Sequence, residues 1–152
     1  MKTFAYHRSL SPMMWALVAL GTIELMAVHL LVSLRWPVVA WPLTVLSVAG
    51  IAWMVVLIRS FERMPHTLSR DVLTLRAGRL RNYVVQRSEI AGVRSSWATG
   101  EHSETDTANL ALIAHPHRII DLKTPMIGKR GLIRRIAIAL DDPGAFDTAL
   151  RA

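Results

Sequence analysis

The stretch MMWALVALGTIELMAVHLLVSL, Met13 to Leu34, then RWP, then VVAWPLTVLSVAGIAWMVVLI, Val38 to Ile58, decides how this chain is organised. At about 1.5 Å per residue each apolar run makes a helix roughly 30 Å long, the thickness of a bilayer's hydrocarbon core. The joint Arg35-Trp36-Pro37 is too short for anything but a tight return. The chain therefore reads as an α-helical membrane hairpin carrying a separate domain on its C-terminal side. A cleaved signal peptide is the competing reading of residues 1–30. The apolar stretch is too long for an h-region, it lacks a small-residue cleavage pattern, and a second run follows at once.

Working outward, residues 1–12 are read as a tail, 13–34 as the first membrane helix, 35–37 as the turn and 38–60 as the second helix. Residues 61–67 follow as a linker and 68–152 as one small soluble domain. Of the 18 Lys and Arg, fifteen follow Ile58; Lys2 and Arg8 precede the first run, and only Arg35 lies in the connection. Ten of the 11 Asp and Glu also follow Ile58, within a net charge of +7. Lys/Arg enrichment marks cytoplasmic flanks, so both termini are expected in the cytoplasm and Trp36-Pro37 outside. Trp15, Trp36 and Trp41 suit the aromatic belts of the two interfaces. The absence of cysteine excludes disulfides, thiolate chemistry and Cys-ligated metal.

Polar residues inside the hairpin are the first candidate site. Glu24 falls near the midpoint of the first helix, where a bare carboxylate is costly and must be protonated, paired or turned towards protein. His29, five residues on, lies about 140° round the helix and does not share that face. The second helix runs the opposite way, which sets Ser47 near the depth of Glu24 and Thr44 near that of His29. Glu24 and His29 as a proton relay, metal site or cofactor site is the functional reading. Packing, or contact with another membrane subunit, is the plainer one. Ala40, Thr44, Ser47 and Gly50 or Ile51 form a stripe that suits packing in the hairpin or homo-oligomerisation.

Beyond Leu68 the period changes from helical to alternating. Val72–Arg76 reads as a half-buried strand, Ala77-Gly78-Arg79 as a turn and Leu80–Val85 as its partner. A third strand follows Ser88 and ends near Trp97. Residues 98–107 read as a polar loop, Asn109–Ala114 as a fourth strand, Arg118–Leu122 as a fifth and Leu132–Leu140 as a sixth. Asp141 or Asp142 then caps a helix from Pro143 to Leu150, since Asp accepts orphan N–H groups and Pro suits the first turn. The soluble part is thus α+β: a curved antiparallel sheet or barrel closed by a C-terminal helix, with Phe146, Ala149 and Leu150 turned to the sheet.

Three strings in that order, Leu73-Thr74-Leu75-Arg76-Ala77-Gly78, Ser88-Glu89-Ile90-Ala91-Gly92-Val93 and Ile138-Ala139-Leu140-Asp141-Asp142-Pro143-Gly144-Ala145-Phe146, follow two apolar helices. In this the chain resembles the bacterial pleckstrin-homology-like (PH-like) membrane proteins, at the level of architecture over residues 13–152. The pleckstrin fold has seven strands. The resemblance implies that the strand missing from the six above lies in Met64–Arg70 or Pro125–Arg130. It also implies a bacterial inner-membrane location, an accessory or assembly role and no catalytic residue set.

Basic residues supply the second candidate site. Arg79, Arg81, Arg130, Arg134 and Arg135, with Trp97 as an anchor, are expected to meet anionic lipid or a protein partner; the plain reading is a solvated basic face. His115-Pro116-His117 reads as a Pro-centred turn rather than a metal pair. The loop Glu101–Asp106 lacks the glycine spacing of a calcium site, so no metal or other cofactor is expected. No nucleophile elbow or phosphate loop is present, and no nucleic-acid motif. The chain is therefore expected to be a non-enzymatic scaffold of the membrane. Its rival is a small subunit of a membrane enzyme or transporter using Glu24 and His29.

Overall fold

The computed structural model describes residues 2–8, 10–128 and 131–152. It divides into two compact units: Ser11–Ser60, and Met1–Leu10 with Phe61–Ala152.

The first unit is a helical hairpin. Helix α1 spans Ser11–Arg35 and α2 spans Pro37–Arg63, so Trp36 alone separates them. Both are long and apolar enough to cross a membrane. Leucine, alanine and methionine favour the helix, and every backbone polar group beyond the ends is satisfied within the segment. Pro42 stands inside α2, where its missing N–H leaves the Val38 carbonyl without its helical donor. The second helix continues past Ile58 to Arg63, consuming part of the expected linker.

The second unit contains, among the described residues, eight strands in two four-stranded sheets, two single-turn 3-10 segments and one C-terminal α-helix. The first sheet is an antiparallel meander of β1 (Lys2–Phe4), β2 (His66–Leu68), β3 (Val72–Ala77) and β4 (Arg81–Gln86). Strand β3 alternates as its sequence predicts: Leu73, Leu75 and Ala77 are buried, while Val72, Thr74 and Arg76 are half-buried. Gly78 enters the β3–β4 turn with φ +50°, a conformation open to glycine without penalty.

The second sheet has the order β5 (Ile90–Arg94), β7 (Arg118–Gly128), β8 (Gly131–Ile138), β6 (Thr107–Asn109). The inner pairs are antiparallel. Strand β6 pairs parallel with β8, against the all-antiparallel expectation. The expected strand Asn109–Ala114 is also corrected. The Asn109 side chain accepts a hydrogen bond from the Ala111 N–H at 2.9 Å, and Leu112 turns with φ +57°. That local turn competes with the ladder and ends the strand at Asn109.

Helix α3 (Pro143–Arg151) begins where expected. The Asp142 carboxylate accepts from the Ala145 N–H at 2.9 Å, with Pro143 in the first turn. Phe146 and Ala149 are buried, and Leu150 packs partly against the same core. That single core takes Leu73, Leu75 and Val85 from the first sheet and Ile120, Ile136 and Ile138 from the second. The helix therefore plugs a core shared by both sheets.

The segment read as an N-terminal tail is part of this domain. Lys2 pairs with Leu68 and Phe4 with His66. Phe4 meets the Phe146 ring edge to face at 5.2 Å. Tyr6 is buried, and its hydroxyl accepts a hydrogen bond from the Gly78 N–H at 2.7 Å. The Asp141 N–H donates to the Ala5 carbonyl at 2.9 Å. Replacing Tyr6 by Phe leaves the buried Gly78 N–H without an acceptor, a loss of about 1–3 kcal/mol. A thermal midpoint equal to that of the parent chain would show that the turn reorganises to satisfy it.

Candidate functional site

The two helices of the hairpin leave a cleft of about 380 Å³, lined by Leu17, Gly21, Glu24, Ser47, Gly50 and Met54 among others. Glu24 is exposed, and Ser47 lies across from it. Gly21 and Gly50 keep the walls open: a Cβ at either would meet nothing within 4 Å. His29 lies elsewhere. Its Nδ1 is 2.6 Å from the Thr44 hydroxyl, which donates to the Ala40 carbonyl at 2.8 Å. Trp41 packs edge to face on the same imidazole at 5.5 Å. The hairpin thus holds two separate polar stations: His29 with Thr44, already hydrogen-bonded, and Glu24 beside Ser47 in an open cleft.

In the sheet domain the basic residues named from the sequence separate. Arg79 sits exposed in the β3–β4 turn, as its sequence predicts, outside the strand that Arg81 begins. Arg81 begins β4 and donates to the Asn109 carbonyl at 3.3 Å. Arg134 is exposed on β8, and Arg130 lies outside the described residues.

Arg135 belongs to an ion cluster. It donates to Glu101 at 2.8 Å, Glu104 at 2.8 Å and Asp106 at 2.7 Å. Glu101 also receives Arg94 at 2.6 Å, and Arg94 makes a fork to Asp121 at 2.7 and 2.9 Å. Two guanidinium groups therefore meet four carboxylates, and Glu101 bridges them. The Arg94 and Arg135 donors hold the Glu101 carboxyl down at about pKa 2, and Arg135 holds Asp106 below its ordinary value. Carboxyls so firmly ionised make no general acid near neutral pH. The cluster ties the segment between β5 and β6 to β5, β7 and β8, a bracing role.

Trp97 lies in that segment, half-buried, 6.0 Å from the His115 ring, which in turn is 6.1 Å from His102. His117 faces a different partner: its Nδ1 accepts the Leu140 N–H at 3.1 Å. The two histidines of His115-Pro116-His117 are thus sent to different neighbours.

Reading the sequence alone missed Phe4 and Tyr6, although their spacing of two beside Lys2-Thr3 is a strand signal. It also missed the pairing of Arg118 with Asp147, which joins β7 to α3 at 2.7 Å. Comparison with protein-family models, curated proteins and solved structures finds no match for this chain.

Proposed function

We propose that this chain is a non-enzymatic protein of the bacterial inner membrane. Its hairpin spans the bilayer with both termini in the cytoplasm. A PH-like domain on that side docks a protein partner, with anionic lipid as a further contact. The observation that carries the reading is the exposure of the helices. Met26, Leu31, Val38 and Leu46 are 70%, 67%, 83% and 71% exposed. A core helix of a water-soluble protein hides such side chains, whereas lipid tails accept them. Two sheets around one core with a capping helix support the PH-like assignment, eight strands being one more than that fold requires. The lysine and arginine excess after Ile58 supports the cytoplasmic orientation. Of the basic residues named from the sequence, Arg79 and Arg134 are exposed and can meet lipid phosphates.

The rival reading, a membrane enzyme or transporter subunit, needs Glu24 and His29 in one site. His29 is taken by Thr44 and Trp41, and it does not line the Glu24 cleft. Glu24 instead suits contact with a helix of another membrane subunit, which would supply the partner that a carboxylate at this depth requires.

Orientation is tested by reporters fused after Ala152. A reporter active only outside the cytoplasm should stay silent, and one active only inside should work. The reverse pattern would overturn the orientation, and recovery of the full chain in the soluble fraction would overturn membrane insertion.

A further inference from the structure

Strand β5 is the edge of its sheet, hydrogen-bonded on one side only, by β7. Such an edge presents unpaired N–H and C=O groups that can take up another strand. The other edge strands of the domain share that property, so the edge alone decides nothing. What sets β5 apart is the groove beside it. A cavity of about 370 Å³ lies between β5 and α3, with Gly92, Val93 and Ser95 on the strand side and Leu150 on the helix side.

The rim of this groove is cationic. Arg87, Arg118 and Arg151 line it, against the single carboxylate of Asp147. Two of the three arginines are held in place from below. Arg118 makes a fork to Asp147 at 2.7–3.1 Å and donates to the His117 carbonyl at 2.7 Å. Arg87 donates to the Leu150 carbonyl. A guanidinium has five N–H donors, so each keeps donors for another acceptor without giving up these bonds. Arg151 is exposed and has no ion pair among the described residues. Fixed cations beside an open strand edge recognise an extended chain bearing carboxylates: the backbone supplies the pairing and the charges supply the choice.

We propose that an extended acidic segment of a partner protein docks in this groove as an added strand beside β5, its carboxylates meeting Arg87, Arg118 and Arg151. The proposal names the chemistry of the partner in the docking role above and rests on that reading, but it does not depend on which way the hairpin crosses the membrane.

Gly92 provides the test. A Cβ there would meet nothing within 4 Å, and the backbone is not in the left-handed region, so a strand-favouring side chain fits the domain while filling the groove. The full chain is held in nanodiscs of neutral lipid. The probe is a short fluorescent peptide alternating glutamate with valine. Its controls are the lysine counterpart and the same glutamate peptide with alternate backbone nitrogens methylated.

The glutamate peptide should bind saturably and the lysine peptide should not. Methylation, which removes backbone donors and keeps the charge, should weaken binding about tenfold or more. Gly92→Val should do the same with circular dichroism and thermal midpoint unchanged. Arg151→Glu, an exposed change that keeps the proposal testable if Gly92→Val fails to fold, should weaken binding most at low salt. Absence of saturable binding by the glutamate peptide overturns the proposal, as does equal binding of the lysine peptide. Binding that survives methylation, or that neither variant weakens, is charge attraction without strand addition and overturns it too. A failed topology test with intact peptide binding would instead remove only the membrane orientation.

Discussion

Phe146→Ala is expected to unfold the sheet domain while leaving the helical hairpin helical. The Phe146 side chain is fully buried in the core shared by both sheets. Truncating a buried Phe costs about 3–5 kcal/mol, the transfer loss and the cavity combined. The edge-to-face contact with Phe4 is part of that loss, about 0.5–1.5 kcal/mol of it. Small domains are stable by only about 5–15 kcal/mol in total, so one side chain carries a large share of the margin. Hydrogen exchange of the full chain in detergent measures this directly. Protection across β3, β7 and β8 should fall to near that of an unfolded chain, with protection in α1 and α2 retained. Unaltered protection in the strands would mean that α3 does not plug the core. The experiment needs the N-terminal residues in place, because a fragment starting at His66 lacks β1 and the Phe4 face of the Phe146 ring.

Acidification should destabilise the same domain through His66, between about pH 6.5 and pH 4. The imidazole is buried, stacked on Tyr6 at 4.4 Å, and its Nδ1 accepts the Arg76 N–H at 3.0 Å. Burial lowers its pKa from 6.5 to about 4, with the Ala139 carbonyl opposing the shift. The folded state therefore prefers the neutral ring. Below pH 6.5 the unfolded chain takes up a proton that the folded chain refuses, so stability is whole above that value and drains as pH falls towards 4. The full loss is about 3 kcal/mol. Glu101 and Asp106, held below their ordinary values by Arg94 and Arg135, add losses of their own from about pH 5 downward. A thermal midpoint followed from neutral pH to about pH 4.5 should drop in the parent chain. It should flatten in His66→Gln, whose amide offers Arg76 an acceptor without titrating. An equal slope in both chains removes His66 as the cause.

The hairpin was legible in the sequence because its signal is local. Each helix satisfies its own backbone, and Met13–Leu34 and Val38–Ile58 are apolar enough that no distant residue is needed to explain them. The same holds for the β3–β4 hairpin, with its period of two and Gly78 at the turn, and for α3, with its own Asp142 cap. The facing of Thr44 to His29 was legible for a related reason: an antiparallel return of known rise sets depth by counting.

Strand partnership was not legible, because it is decided by what covers what. Lys2–Phe4 carries the alternation of a strand but names no partner, and it pairs only because β2 offers an open edge and Phe146 a ring to meet. Thr107–Asn109 runs parallel to β8, and the Asn109 side chain ends it early, an outcome that alternation over 109–114 conceals. Arg135 reads in sequence as one more surface cation. Only the fold brings Glu101, Glu104 and Asp106 to it and spends its charge. Conversely, Arg87, Arg118 and Arg151 are scattered along the chain, and the groove that gathers them exists only once α3 lies beside β5. Hydropathy over twenty residues is a property of the segment itself and determined the hairpin. Pairing of strands and gathering of charges depend on residues far apart in sequence, whose approach is set by the shared core, so only the tertiary structure decided them.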